Sequence, residues 1–197
     1  MATIEFWYEF ASTYSYPAAM RIEEVAAKKD VKVQWNPFLL GPVFKSQGWE
    51  DSPFNINPIK GAYMWRDMER ICRQYKLSFT RPVIFPQNGL AAARLSLCPV
   101  VSEKTAAFSK LVYEAAFVHQ QDISSPKTLT HILTFLEINA DEAFTQAATP
   151  TVKTALWTNT ETAQKRQIFG APSFVAADGE LFWGNDRLEQ AVAWCAG

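Results

Sequence analysis

Ile4-Glu5-Phe6-Trp7-Tyr8-Glu9-Phe10, continuing into Ala11-Ser12-Thr13-Tyr14-Ser15, is the stretch that decides how this chain folds. Ile4, Phe6, Tyr8 and Phe10 recur at every second residue, the period that lines one face of a β-strand. Beyond them Ala18, Ile22, Val25 and Ala26 form a helical stripe, so Ser12 and Ser15 stand at a strand-to-helix turn. A second alternating run follows at Val31-Lys32-Val33-Gln34-Trp35. Strand, helix and strand in that order predict a crossover joining two parallel strands.

The far end of the chain reads differently. Ser173-Phe174-Val175-Ala176-Ala177 and Glu180-Leu181-Phe182-Trp183 flank Asp178-Gly179, a pairing that marks a hairpin of antiparallel neighbours. Asp186 to Trp194 then reads as a helix, with Asp186 at the N-cap and Glu189 completing a capping box. Between the two ends, helical stripes recur at Ala62–Gln74, Gly89–Leu97, Lys104–His119, Pro126–Leu136, Asp141–Ala148 and Thr151–Phe169. Pro42, Gly48, Pro53, Asn55, Asn57 and Pro58 mark Gly41–Ile59 as an irregular loop, and Pro82 and Pro86 do the same for Thr80–Asn88.

These patterns predict an α/β chain of thioredoxin-like fold, β-α-β then β-β-α, with an all-helical domain inserted between the halves. The expected boundaries are 1–42 for the N-terminal half, 43–166 for the loop and helical insertion, and 167–197 for the C-terminal half.

Composition excludes several functions. The chain has 197 residues, is 48% hydrophobic and carries a formal net charge of −1, which suits a sizeable core and offers no basic footprint for nucleic acid. No apolar stretch reaches the roughly 20 residues that span a bilayer, and the first residues alternate as a strand instead of forming a leader. No membrane association and a cytoplasmic location are the expectations. Cys72, Cys98 and Cys195 lie far apart without Cys-x-x-Cys or Cys/His ligand spacing, so neither a disulfide framework nor a metal site is expected. His119 and His131 have no neighbouring carboxylate or nucleophile to suggest a triad.

A redox chain of this plan carries Cys-x-x-Cys at the first turn, where the helix N-terminus stabilises a thiolate. Serine stands at both places here. A serine carries no electrons, but the Ser12 O–H is able to donate a hydrogen bond to a thiolate supplied by a cofactor; its plain alternative is a helix cap. Ser15 faces inward as a structural hydroxyl. Pro172, in Gly170-Ala171-Pro172-Ser173, sits where a cis bond would free the preceding backbone for an extended peptide, the alternative being an ordinary trans proline. Asp186 either caps the last helix or receives an ammonium, as in the α-amino acid end of a γ-glutamyl group. Lys60 and Asn55 reach a cofactor if the loop folds over the turn, and Trp49, Phe54, Tyr63 and Trp65 either line an apolar pocket or pack in the core.

Three segments carry a family resemblance: Tyr8-Glu9-Phe10-Ala11-Ser12-Thr13-Tyr14-Ser15-Tyr16, then Gly48 to Asn55 into Lys60-Gly61-Ala62-Tyr63-Met64, and Phe169-Gly170-Ala171-Pro172-Ser173 with Phe182-Trp183-Gly184-Asn185-Asp186-Arg187-Leu188. The chain resembles the 2-hydroxychromene-2-carboxylate isomerases and the kappa-class glutathione transferases, within the DsbA-like thioredoxin group. The resemblance implies glutathione as cofactor, with Ser12 on its sulfur, Lys60 and Asn55 on the glycyl or sulfur side, the Ala171 backbone beside Pro172 on the cysteinyl residue, and Asn185 with Asp186 on the γ-glutamyl end. It implies interconversion of 2-hydroxychromene-2-carboxylate and trans-o-hydroxybenzylidenepyruvate through a transient glutathione adduct, or transfer of glutathione to another aromatic or conjugated small molecule. A homodimer is implied as well. A non-catalytic thioredoxin-like module and a disulfide oxidoreductase are the competing readings. Thr13 and Pro17 depart from the family pattern, and Pro17 is expected to delay or kink the first turn of the helix.

Overall fold

A computed structural model describes residues 2–197. Its four-stranded sheet has the order β2-β1-β3-β4, with β1 at Ala2–Tyr8, β2 at Val31–Pro37, β3 at Ser173–Ala176 and β4 at Leu181–Trp183. β1 runs parallel to β2, with Phe6 opposite Trp35, and antiparallel to β3, with Phe6 opposite Phe174; β3 and β4 close the hairpin. This is the thioredoxin-like arrangement that the two ends of the sequence predict.

The sheet is covered on both faces. Ile4, Phe6 and Tyr8 are fully buried on one face, and Phe6 stacks on Tyr8 and Phe174 at centroid distances of 5.1 and 5.5 Å. Helix α1 (Ser15–Ala27) contributes Ala18 and Ile22 to that core, and the C-terminal helix α10 (Leu188–Ala196) adds Leu188 and Val192. The opposite face holds a smaller cluster in which Trp7 and Val175 pack with Phe38, Val43, Ala163 and Ile168. Each aromatic or branched side chain removed from water stabilises the fold by about 1.5–3 kcal/mol.

The inserted helices are α2 (Leu40–Ser46), α3 (Pro53–Ile56), α4 (Pro58–Gln74), α5 (Leu90–Leu95), α6 (Thr105–Phe117), α7 (Pro126–Phe135), α8 (Ala140–Ala148) and α9 (Pro150–Lys165). The apolar stripes of α4 to α9 join the sheet's main core through Met68, Leu95, Phe108, Leu133 and Leu156, while α2 packs Val43 into the smaller cluster. α2 spans the expected boundary between 42 and 43.

The structure corrects two local expectations. Gly41–Ile59 is not an irregular loop throughout, because it contains α2 and α3. Ser52 caps α3 by accepting from the Phe54 N–H at 3.3 Å, and Asn57 caps α4 by accepting from the Lys60 N–H at 3.1 Å, each with proline at the first helical position. Residues read as breakers are therefore starters, since proline's missing N–H costs nothing in a first turn. Asp186 does not cap the last helix. A 3₁₀ turn at Asn185–Arg187 intervenes, α10 starts at Leu188 without a side-chain cap, and Glu189 pairs with Arg21 instead of completing a capping box. Pro17 occupies the third position of α1, where no intrahelical N–H bond is lost, and the helix begins late, at Ser15.

Candidate functional site

The late start of α1 leaves Glu9–Tyr14 as a folded turn between β1 and the helix. The Ser12 N–H donates to the Glu9 carbonyl at 3.0 Å, and the Tyr16 N–H donates to the Thr13 carbonyl at 3.2 Å. Thr13 is buried, its hydroxyl 3.2 Å from the Met64 sulfur, so it ties the turn to α4. Tyr14 donates to Asp67 of α4 at 3.0 Å; burial, reinforced by the Asp67 charge, pushes its phenol upward.

Ser12 sits at the centre of this turn. Its Oγ accepts from the Ser15 N–H at 3.3 Å and donates to the Ala171 carbonyl at 2.8 Å, a residue far away in sequence. The peptide bond between Ala171 and Pro172 is cis. Ser12 therefore engages both the start of α1 and the segment entering β3. Among the described residues the Ala171 N–H donates to no acceptor, and its carbonyl keeps a second lone pair.

Ser12 and Ala171 both lie on the wall of a cleft with a volume of about 1060 Å³. Volumes of ~300–1,000 Å³ accommodate drug-sized ligands, so this space admits a short peptide together with a second small molecule. Of the residues singled out in the sequence, Ser12, Lys60, Ala171, Pro172, Asn185 and Asp186 line it. Asn55 does not: its amide donates to Asp51 at 3.0 Å on the exposed surface. Among the aromatics, Trp49, Phe54 and Tyr63 line the cleft, whereas Trp65 is buried against Phe85 at a centroid distance of 4.8 Å.

The C-terminal wall is organised by two glycines and an arginine. A Cβ on Gly170 would stand 2.5 Å from the Trp183 indole nitrogen, so only glycine lets Trp183 lie over this segment beside Phe169. Gly184 has φ +105°, in the region that favours glycine, and turns the chain from β4 into the Asn185–Arg187 segment. Asn185 is buried, and its carbonyl oxygen accepts from Arg21 at 3.0 Å, which directs its amide N–H groups elsewhere as donors. Arg21 is itself stacked on Tyr75 at 3.4 Å. Asp186 is exposed, its side chain 3.7 Å from Arg187.

Glu9 is the residue that the sequence reading missed. It lines the cleft three positions from Ser12 and is only 9% exposed. One carboxylate oxygen accepts from the Ala11 N–H at 2.8 Å, yet burial outweighs the local N–H donors and pushes the carboxyl up to about 7. The signal available in the sequence was a charged residue at the end of the strand run, set between Tyr8 and Phe10. The cysteines are elsewhere: among the described residues no thiol lines the cleft, and burial pushes Cys72 and Cys98 up to about 12 and about 11. Among the described residues no cluster of His, Cys, Asp and Glu has metal-binding form, and no helix is long and apolar enough to cross a membrane.

Known proteins share this architecture. A 2-hydroxychromene-2-carboxylate isomerase of Sphingobium xenophagum is 25% identical over 188 residues, covering 95% of this chain and 94% of its own. Human glutathione S-transferase kappa 1 is 26% identical over 203 residues, covering 95% of this chain and 88% of its own. The solved structure of a 2-hydroxychromene-2-carboxylate isomerase superposes with a TM-score of 0.87 at 20% identity, over 98% of this chain and 93% of the other. The family model described as DSBA-like thioredoxin domain matches residues 3–193, and the chain belongs to that family.

Proposed function

We propose that this DSBA-like thioredoxin family member is a glutathione-dependent isomerase of the 2-hydroxychromene-2-carboxylate type, acting on a conjugated aromatic small molecule. The observation that carries the reading is a single cleft lined by Ser12, Lys60, Ala171, Pro172, Asn185 and Asp186, with no protein thiol among its described lining residues. The donor set fits the tripeptide. Glutathione presents two carboxylates, one ammonium and one thiol, and the described lining offers Lys60 and Arg187 as cations, Asp186 among its several carboxylates and Ser12 as a hydroxyl donor.

In this reading Lys60 holds the glycyl carboxylate, the Ala171 backbone pairs with the cysteinyl residue, and the Asn185 amide and Asp186 carboxylate hold the γ-glutamyl end. Ser12 turns its O–H from the Ala171 carbonyl to the sulfur, exchanging a neutral hydrogen bond for a charge-assisted one. The N-terminus of α1, just beyond Ser12, adds its partial positive charge on the same side. Bound glutathione supplies a thiolate nucleophile that adds to a conjugated carbon and is released unchanged. Trp49, Phe54, Phe169 and Trp183 form an apolar wall for the aromatic substrate, excluding water from it.

Transfer of glutathione to a conjugated acceptor is the second reading, favoured by the similarity to the human enzyme. The same cleft residues serve both. Titration calorimetry with glutathione tests what the two share: saturable binding is expected, and no heat at millimolar glutathione would defeat both. Mass spectrometry of the products separates them, an isomer of unchanged mass against a conjugate.

A further inference from the structure

We infer that the Glu9 carboxyl is the proton-transfer group of this cleft, taking the proton from a bound glutathione thiol and handing it to the conjugated acceptor. The inference rests on the glutathione reading above and names a residue that reading does not use.

The geometry around Glu9 is fixed from three sides. Its carbonyl accepts from the Ser12 N–H at 3.0 Å and from the buried Tyr113 hydroxyl of α6 at 2.9 Å, which pins the main chain. One carboxylate oxygen, Oε2, is held by the Ala11 N–H at 2.8 Å. The other, Oε1, is approached by the Asn88–Leu90 segment, where a Cβ on Gly89 would stand 3.1 Å away. None of the ion pairs among the described residues involves Glu9. A carboxylate this buried without a cation is costly to keep ionised, and its raised midpoint of about 7 reflects that burial. If its only task were to hold the turn N–H groups, a neutral amide would serve as well.

Ser12 lies one turn away on the same wall, so the thiol that Ser12 addresses and the Glu9 carboxyl share one space. Two negative charges there repel, and a single proton divided between them avoids the repulsion. The step balances. Glu9 accepts the thiol proton as the S–H pair stays on sulfur; that pair forms the C–S bond and the acceptor's π pair moves onto its terminal atom. Glu9 then protonates that atom, which regenerates the carboxylate, and isomerisation reverses the same sequence after bond rotation. Tyr113 of α6 packs directly against Glu9, and the other titratable or charged groups lining the same cleft are Tyr14, Glu50, Asp51, Lys60, Tyr63, Asp67, Asp186 and Arg187, none of which pairs with it.

The test is ¹³C NMR of the protein labelled at the glutamate carboxyl carbons, with Glu9 assigned by the loss of its resonance in E9Q. Glutathione is expected to raise the Glu9 midpoint by about half a unit or more, because a thiolate of like charge stands beside it. S-methylglutathione, which has no thiol proton, leaves that midpoint in place. E9Q is expected to bind S-methylglutathione normally yet lose about a hundredfold in turnover of a conjugated aryl ketone, and to lose the limb near neutrality from its pH profile. Equal Glu9 midpoints with either ligand, or an unchanged E9Q pH profile, would overturn the assignment while the glutathione reading stands. No glutathione binding by the unaltered protein would overturn both.

Discussion

Replacing Ser12 with alanine isolates the hydrogen bond on which the proposed chemistry turns. In the structure the Ser12 O–H donates to the Ala171 carbonyl at 2.8 Å, a neutral bond worth about 1 kcal/mol net. A hydrogen bond to a charged group is worth about 1.5–3 kcal/mol, so moving the O–H to a thiolate gains about 0.5–2 kcal/mol. At about 1.36 kcal/mol per unit, the bound thiol in S12A should titrate roughly one unit higher than in the unaltered protein. The assay is the ultraviolet absorbance of the thiolate in bound glutathione, followed across pH. S-methylglutathione carries no thiolate, so its dissociation constant should change little in S12A. The variant also removes the acceptor of the Ser15 N–H, 3.3 Å away, and should unfold about 1 kcal/mol more easily in urea, like a helix that has lost its cap. A thiol midpoint shifted by less than about 0.3 unit would refute the reasoning, since the gained bond would then be no stronger than the one given up.

Other outcomes follow from the same contacts. Glu9 titrates at about 7 in the fold against 4.5 ordinarily, so the folded state holds a proton that the unfolded chain releases between those values. Its contribution to stability is full below the lower value and is lost as pH rises through the upper one, about 3 kcal/mol in all. Urea titrations should show this decline in the unaltered protein and a flatter profile in E9Q; parallel profiles would contradict it. Gly170→Ala places a Cβ 2.5 Å from the Trp183 indole nitrogen and should cost about 1–3 kcal/mol while changing tryptophan fluorescence. Unchanged stability and emission would show that Trp183 does not depend on that glycine. Arg21→Met releases Asn185 and should destabilise by about 2 kcal/mol while weakening glutathione binding in calorimetry. Asn55→Ala should leave that binding unchanged, because its amide is already spent on Asp51; weakened binding would return Asn55 to the site.

What was legible in the sequence, and what was not, divides along physical lines. The period-two run Ile4 to Phe10 and the Asp178-Gly179 hairpin signal reported the sheet because burial and turn geometry are local constraints. The chain's own caps were harder. Ser52-Pro53 and Asn57-Pro58 have the composition of a loop and the function of helix starts, and only the residues after them decide between the two. Asp186 had the spacing of a capping box, but Glu189 is drawn away to Arg21, a partner remote in sequence. Cleft-lining residues on turns were visible because Ser12, Pro172 and Asp186 break a pattern. Glu9 was not, since its significance comes from burial supplied by Tyr113 and Gly89, distant segments that no local window contains.

The central claim is that Ser12 holds the sulfur of glutathione in this cleft, and a crystal structure with glutathione bound tests it most directly. The sulfur is expected within about 3.5 Å of Ser12 Oγ, with that hydroxyl turned from the Ala171 carbonyl and the cysteinyl backbone alongside Ala171. Glutathione bound with its sulfur directed away from Ser12, or a cleft that stays empty at saturating ligand, would contradict it.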